Sequence, residues 1–404
     1  VSRILTLSAH DTQLDRRIIA ELNTLTASGR EITLVSVPTT LPSDCLDVRV
    51  RVVMPSVPHP VAGKWSPMKS LLRCVSQPFY NTLRSRWYGL GAGPVPTLRN
   101  FFLDTTPNET FDALHCHDLT TLPAAVALAE RMSDVKIIYD AHELFPCQFD
   151  DSRIETYWSK IEAQYIGLAD GTITVNDSIA HELADRYGIA TPEVIYNSYG
   201  IASTAEPVGN EAFLNHFGAQ PNGFKVLFQG GLDALRNLEN LVLAFDGLRD
   251  HAQLFLLGDG PLEGVLRQLC DRHRISNVFL GRSIPQQDLL NFTKHADLGV
   301  IPYIGGSNLN TLYCTPNKLF EYIEAELPIC ASDLPELRKI VTTSCIGGVF
   351  EMETPDQIAS ALLQCRQRQV AGEFTQAALR AAREHYSWTR QAQRLLALYE
   401  KLGV

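Results

Sequence analysis

Strand-like apolar runs alternate with helical patterns along almost the whole 404-residue chain. That alternation confines the fold to parallel sheets with helices on both faces, since a parallel pair needs a crossover and each crossover here is helical. In the first half the spacing predicts strands near 3–8, 31–37, 48–54, 111–115, 135–139, 171–175 and 193–196. Helices are predicted over 14–28, 119–132, 154–169 and 177–187. In the second half strands fall near 224–228, 253–257, 277–280, 297–301, 328–331 and 348–350. Its helices fall near 237–249, 262–273, 286–295, 316–325 and 355–368. Weak periodicity and turn-forming residues make 201–223 an inter-domain linker, with helical character over 211–217. Domains are thus expected at 1–200 and 224–385, followed by an amphipathic terminal helix over 386–404 that carries Trp388, Leu395, Leu398 and Tyr399. Two doubly wound, Rossmann-like α/β sheets that face each other would form a cleft at the C-terminal ends of their strands.

Composition narrows the function classes. The chain is 45% hydrophobic and 20% charged, enough for two cores. A net charge of −10 argues against a general nucleic-acid binder. Nine scattered cysteines without a C-x-x-C point to a reducing compartment, not to a disulfide frame or zinc ribbon. No apolar run is long enough to span a bilayer, and no signal-peptide pattern is expected over the first residues.

The run Thr315-Pro316-Asn317-Lys318-Leu319-Phe320-Glu321 reads as an N-cap, a proline at the first helical position, a cation in the first turn and a carboxylate one turn further in. Such a helix turns free N–H groups and a positive dipole end toward a ligand, and a diphosphate suits that place. Glu321 then reaches neutral hydroxyls such as a ribose diol. An ordinary capped helix explains the same residues. Three strands end at one edge with related loops. Gly230-Gly231 precede Arg236, Gly258-Asp259-Gly260-Pro261 form a sharp turn, and Arg282-Ser283-Ile284 could bind a nucleobase through main-chain groups. A plain turn explains the last equally well. Gly305 to Asn310 is a polar loop suited to wrapping sugar and phosphate, or to facing solvent.

In the first half, alternation puts His115 and His117 on one face at the end of a strand. His-x-His can ligate a metal, but no third and fourth ligand with recognisable spacing accompany it. A histidine in a ligand cleft is the sharper reading, against a satisfied structural histidine. The next strand brings Asp140, His142 and Glu143 to the same rim, a cluster of titratable groups of the kind active sites collect.

Read together, these segments resemble family 4 of the retaining glycosyltransferases, which have the GT-B fold. The ordered pieces are His-Asp-Leu at 117–119, Tyr-Asp-Ala-His-Glu-Leu-Phe at 139–145, and Gly-Asp-Gly-Pro-Leu at 258–262. Ala-Asp-Leu-Gly-Val-Ile-Pro at 296–302, Pro-Asn-Lys-Leu-Phe-Glu-Tyr at 316–322 and Tyr-Ser-Trp at 386–388 continue the order. The resemblance implies a nucleotide-sugar donor in the C-terminal domain and a sugar, lipid-linked or protein-linked acceptor in the N-terminal one. Glu321 would bind the ribose. Lys318 and Arg236 would face the diphosphate beside Gly230, Gly231, Asn317 and Leu319. Arg282, Ser283 and Ile284 would take the base, and His117 would reach the donor sugar. Asp15 and Arg16, with Arg17, match an acceptor-side segment, joined there by His142 and Glu143. The terminal helix would cross back onto the N-terminal domain. Neither a metal nor another cofactor is expected. The resemblance further implies retention of anomeric configuration, a role in bacterial cell-surface polysaccharide or glycoconjugate synthesis, and a cytoplasmic location at the inner membrane face. A catalytically inactive GT-B scaffold and a nucleotide-sugar epimerase of similar fold are the alternatives.

Two positions depart from the family pattern. Tyr313 stands where a first glutamate usually precedes Glu321 by eight residues, so Asn308 or Asn310 would have to substitute. Gly231 stands where many members place an arginine. One segment is unusual for an acidic chain. No Asp or Glu occurs from Val48 to Leu103, which holds Arg73, Arg84, Arg86, Trp65 and Trp87. Apolar residues at helical spacing there suggest contact with an anionic membrane through 64–88, or a core stripe with a solvated basic face.

Overall fold

The computed structural model describes residues 1–10, 12–41, 45–55, 85, 88–89, 91, 93–200, 209–220, 223–306 and 308–404. The chain forms two compact units. The first comprises Val1–Tyr196, Asn308–Asn310 and Gln391–Val404, and the second Asn197–Ser307 and Thr311–Arg390.

Seven strands build the sheet of the first unit: β1 (Arg3–Ser8), β2 (Glu31–Ser36), β3 (Arg51–Val53), β4 (Ala113–His117), β5 (Lys136–Ala141), β6 (Gly171–Thr174) and β7 (Glu193–Val194). They are parallel in the order β3-β2-β1-β4-β5-β6-β7. Buried on both faces, the central strands read as continuous apolar runs, and every residue of β4 is buried. The order reverses between β1 and β4. Their C-terminal ends therefore open a crevice at that point.

The second unit has β8 (Phe224–Gln229), β9 (Ala252–Leu257), β10 (Val278–Gly281), β11 (Leu298–Ile301), β12 (Ile329–Ser332) and β13 (Gly347–Phe350). They are parallel in the order β10-β9-β8-β11-β12-β13, with the reversal between β8 and β11. Gln229 ends β8 and Gly230 and Gly231 follow it, while Pro302 and Tyr303 follow β11. Both flank this second switch point.

Most predicted elements form, several of them shorter than the pattern suggests. The helix predicted over 14–28 is Arg16–Ala27, because the Asp15 side chain accepts from Arg17 N and starts it there. That predicted over 177–187 is Asp177–Tyr187, capped by Asn176 and stopped by Gly188 at φ 63°. The helix predicted at 237–249 ends at Ala244, and that at 316–325 runs Asn317–Glu324. In the latter Pro316, extended at φ −66° and ψ 147°, occupies the cap position where Thr315 was expected. Among the described residues four α-helices carry no pattern prediction: Val95–Thr105, Leu309–Leu312, where a polar loop was expected up to Asn310, Pro335–Thr343 and Gln376–His385. The terminal helix is Trp388–Leu402. Among the described residues no helix is long and apolar enough to cross a membrane. The segment 64–88, with Arg73, Arg84, Arg86, Trp65 and Trp87, lies outside the described residues except for Ser85 and Tyr88.

Candidate active site

In the second unit, the Lys318 side chain rises from the first turn of helix Asn317–Glu324 beneath the end of β8. It is 5% exposed. Its Nζ donates to the Tyr303 hydroxyl at 2.7 Å and lies 4.1 Å from the Phe228 ring centroid. Among the described residues no carboxylate pairs with Lys318 or with Arg236, whose guanidinium stands 4.7 Å from the Tyr303 ring centroid. Burial, then the neighbouring Arg236 charge, pulls the Lys318 ammonium down to about 7, against weaker support from Glu321, Cys314 and Asp233. A buried ammonium without a counter-ion is costly unless an anion completes the site.

Glycine backbone approaches this lysine closely. Gly230 has φ 119°, and a Cβ added there would sit 3.3 Å from Lys318 Nζ. A Cβ on Gly258, at φ 151°, would fall 2.1 Å from the Gly230 carbonyl oxygen. Glycine at these two positions lets two loops stack backbone to backbone beside the lysine. Further along helix Asn317–Glu324, Gln229 Nε2 donates to Glu321 Oε2, and the Thr293 hydroxyl lies 2.9 Å from Gln229 Oε1. Gln229, at the end of an otherwise apolar strand, was missed by sequence reasoning; its polarity in that place was the signal. Ser283 donates from both N and Oγ to Asp259, which pins the loop Arg282–Ile284. Asn317 Oδ1 accepts from Asn197 Nδ2 at 2.7 Å. Arg236 closes a short 3-10 turn, Ala234–Arg236, and does not open the following helix. Gly231 and Leu319 lie next to Gly230 and Lys318 in the chain.

The first unit meets the same topology with the opposite electrostatics. The Arg17 guanidinium, fully buried, donates to Asp140 Oδ2 at 2.8 Å, to Asp140 Oδ1 at 2.9 Å and to the Ile195 carbonyl at 2.6 Å. Glu21 lies 3.1 Å from Arg17. His142 Nε2 is 3.1 Å from Asp140 Oδ2, and its Nδ1 is 3.6 Å from Asp118. Burial disfavours a charged His142, but Asp118 and Asp140 outweigh it and push the imidazolium up to about 10. His117 is buried and held below its ordinary value, chiefly by burial. Its Nδ1 is 3.2 Å from His142 Nε2 and 3.3 Å from Asp140, while its Nε2 has no hydrogen-bond partner among the described residues. His10 Nε2 contacts Asp118 Oδ2 at 3.1 Å. Burial, then the Asp118 charge, raises Glu143, and it accepts from Asn310 Nδ2 at 2.8 Å. Asn310 Oδ1 also accepts from Leu144 N at 3.2 Å. Asp15 spends its carboxylate on the cap described above, and Arg16 is buried beside Arg17.

Glu21, His115, His117 and Asp140 supply the four-ligand set that sequence spacing did not show. Arg17 already holds both oxygens of Asp140 and touches Glu21. The guanidinium therefore stands where a cation would be needed. His115 Nδ1 is engaged by the Tyr399 hydroxyl at 2.8 Å, which ties the terminal helix to the same cluster.

Two parallel, Rossmann-like α/β sheets, each with polar side chains gathered at its switch point, make up the GT-B architecture. Residues 42–200 match the family described as Glycosyltransferase Family 4, and residues 223–368 match Glycosyl transferases group 1. Together the two matches span most of the chain and make it a glycosyltransferase. Phosphatidyl-myo-inositol mannosyltransferase of Mycobacterium tuberculosis is 25% identical over 303 residues, which is 72% of this chain and 74% of that protein. The Mycobacterium leprae protein of the same name is 28% identical over 188 residues, 45% of this chain and 47% of its own length. Among solved structures, sucrose-phosphate synthase from Thermosynechococcus elongatus has a TM-score of 0.72 at 15% identity, covering 100% of this chain and 99% of its own. Anabaena HepE, solved with UDP, has a TM-score of 0.64 at 13% identity, covering 99% of this chain and 100% of its own.

Two outcomes follow. Arg17→Met should lower stability by about 3–5 kcal/mol in urea titration, since it strands the buried Asp140 charge; a loss under about 1 kcal/mol would contradict the pairing. Lys318 has the opposite sign. Below pH 7 folded and unfolded chains both carry its proton, and the folded state bears the full cost of the buried ammonium. Between about 7 and the ordinary value of 10.5 the folded state has released that proton, and the cost shrinks as pH rises. Lys318→Met should therefore raise the melting temperature of the ligand-free protein more at pH 6 than at pH 9. An equal gain at both would contradict this.

Proposed function

We propose that this glycosyltransferase moves a sugar from a nucleotide-diphosphate sugar to an acceptor hydroxyl, with retention of configuration. The observation that carries the reading is Lys318, a buried ammonium with no carboxylate paired to it among the described residues, beside the half-buried Arg236. A diphosphate laid over Gly230 and Gly231 satisfies both cations and the N-terminus of helix Asn317–Glu324. Glu321, oriented by Gln229, then takes the ribose diol, and the loop Arg282–Ile284 takes the base. As the glycosidic bond to the diphosphate breaks, negative charge grows on the leaving oxygen. Lys318 and Arg236 stabilise it there, which is where electrostatic catalysis yields most. The acceptor hydroxyl attacks from the same face, and its proton passes to the departing diphosphate. His117 Nε2 is offered to a sugar hydroxyl, with Asp140 and His142 holding the ring. No metal is required, because the two side-chain cations do its work. The mannosyltransferase relatives, named for a lipid-borne inositol acceptor, support a membrane-presented acceptor. Residues 64–88 would supply contact with an anionic bilayer.

Lys318→Ala and Glu321→Ala should each cut transfer from GDP-mannose or UDP-glucose at least 100-fold while the proteins stay folded. Full activity in both would refute the donor assignment and favour a scaffold role. For the membrane contact, liposome co-sedimentation should rise with anionic lipid and fall on charge reversal of Arg73, Arg84 and Arg86. Equal recovery on neutral and anionic vesicles would refute it.

A further inference from the structure

Tyr303 follows β11 and is 2% exposed. It is in contact with both cations of the donor half. Its hydroxyl accepts from Lys318 Nζ at 2.7 Å, and its ring centroid lies 4.8 Å from that Nζ and 4.7 Å from the Arg236 guanidinium carbon. Two like charges held this close repel each other. A carboxylate between them would remove the repulsion, but it would also neutralise the cations and compete with an incoming anion. An aromatic face attracts cations through its quadrupole and carries no net charge. The phenol oxygen adds one acceptor for the ammonium, whose other N–H groups remain for a ligand on the side of Gly230. Phe228 closes the far side of Lys318, 4.1 Å from Nζ.

We infer that Tyr303 is a positioning residue that holds Lys318 and Arg236 as a preassembled pair of unspent positive charges for the donor diphosphate. The hydroxyl orients Lys318 and the ring supports Arg236. This rests on the donor reading above and extends it to a residue that no motif picks out. The two halves of the tyrosine act differently. Losing the hydroxyl removes a bond that favours the charged lysine, so the ammonium gives up its proton at lower pH. Losing the ring frees Arg236 as well. The other ionisable groups facing Lys318 are Asp233 and Arg236 from the loop after β8, Cys314 ahead of its helix, and Glu321 on it. All are unchanged in both variants.

The test uses the full chain and the variants Tyr303→Phe and Tyr303→Leu, with GDP-mannose and UDP-glucose as probes. Binding is measured by calorimetry from pH 6 to pH 8.5, and the Lys318 side chain is titrated by carbon NMR in ligand-free protein, assigned with Lys318→Met. In Tyr303→Phe the Lys318 midpoint should fall, and donor affinity at pH 7.5 should drop by about 5- to 20-fold. That loss should shrink to within about threefold at pH 6, where the lysine is recharged, with kcat changed less than KM. In Tyr303→Leu the affinity loss should be larger and persist at pH 6. If Tyr303→Leu fails to fold, the Phe variant alone decides. A Tyr303→Phe protein within twofold of wild type in affinity and with an unmoved Lys318 midpoint would overturn the inference. So would a loss that is the same at every pH. Should wild type bind neither probe while the ligand-free midpoint still moves, the donor reading fails and the local role of Tyr303 stands.

Discussion

One charge organises the second unit. The Lys318 ammonium is buried where, among the described residues, no carboxylate pairs with it, and such burial costs stability. Its neighbourhood makes sense as a site prepared for an anion. Glycine at 230 leaves the approach open, aromatic rings stand in place of counter-ions, and Gln229 fixes the carboxylate of Glu321 one turn further along the helix. The parallel order of the sheet brings the ends of β8 and β11 together at the switch point. The constellation is thus assembled from segments that are far apart in sequence but adjacent in the sheet.

The first unit shows what the same architecture looks like when its charges are closed internally. Arg17 answers Asp140, His142 bridges Asp140 and Asp118, and His10 completes the rim. Glu21, buried in the same network, is raised to about 8 by burial and by the Asp140 charge, so Arg17 chiefly serves Asp140. The network holds the His117 ring in place while leaving Nε2 unused. Among the described residues, the buried charges of the first unit lie in one ion-paired network around Arg17 and His142, whereas Lys318 in the second has no carboxylate partner.

Much of the fold was legible because buried parallel strands read as short apolar runs bounded by turns, and all thirteen strands fall near predicted positions. Helix ends were less legible, since side-chain caps such as Asp15 and backbone stops such as Gly188 decide them locally. Lys318 and Glu321 could be found because one helical turn holds both. The Arg17–Asp140 pair could not, because 123 residues separate the partners and neither segment alone shows the contact. Tyr303 was invisible for a similar reason: a tyrosine after a strand does not say which cations will share its ring. The ligand set of His115 and His117 with Glu21 and Asp140 was hidden for the same reason, since long-range contacts bring the two carboxylates to the histidines.

The central claim is that a nucleotide sugar supplies the counter-ion Lys318 lacks. Bound diphosphate must raise the lysine pKa from about 7, so binding at pH 7.5 has to draw a proton from the buffer. Calorimetric titration of the wild-type protein with GDP-mannose and UDP-glucose, in two buffers of different ionisation enthalpy, measures that uptake directly. The account predicts binding of at least one donor with uptake of a substantial fraction of a proton, abolished in Lys318→Met. Donor binding with no proton uptake, or uptake that survives in Lys318→Met, would contradict it.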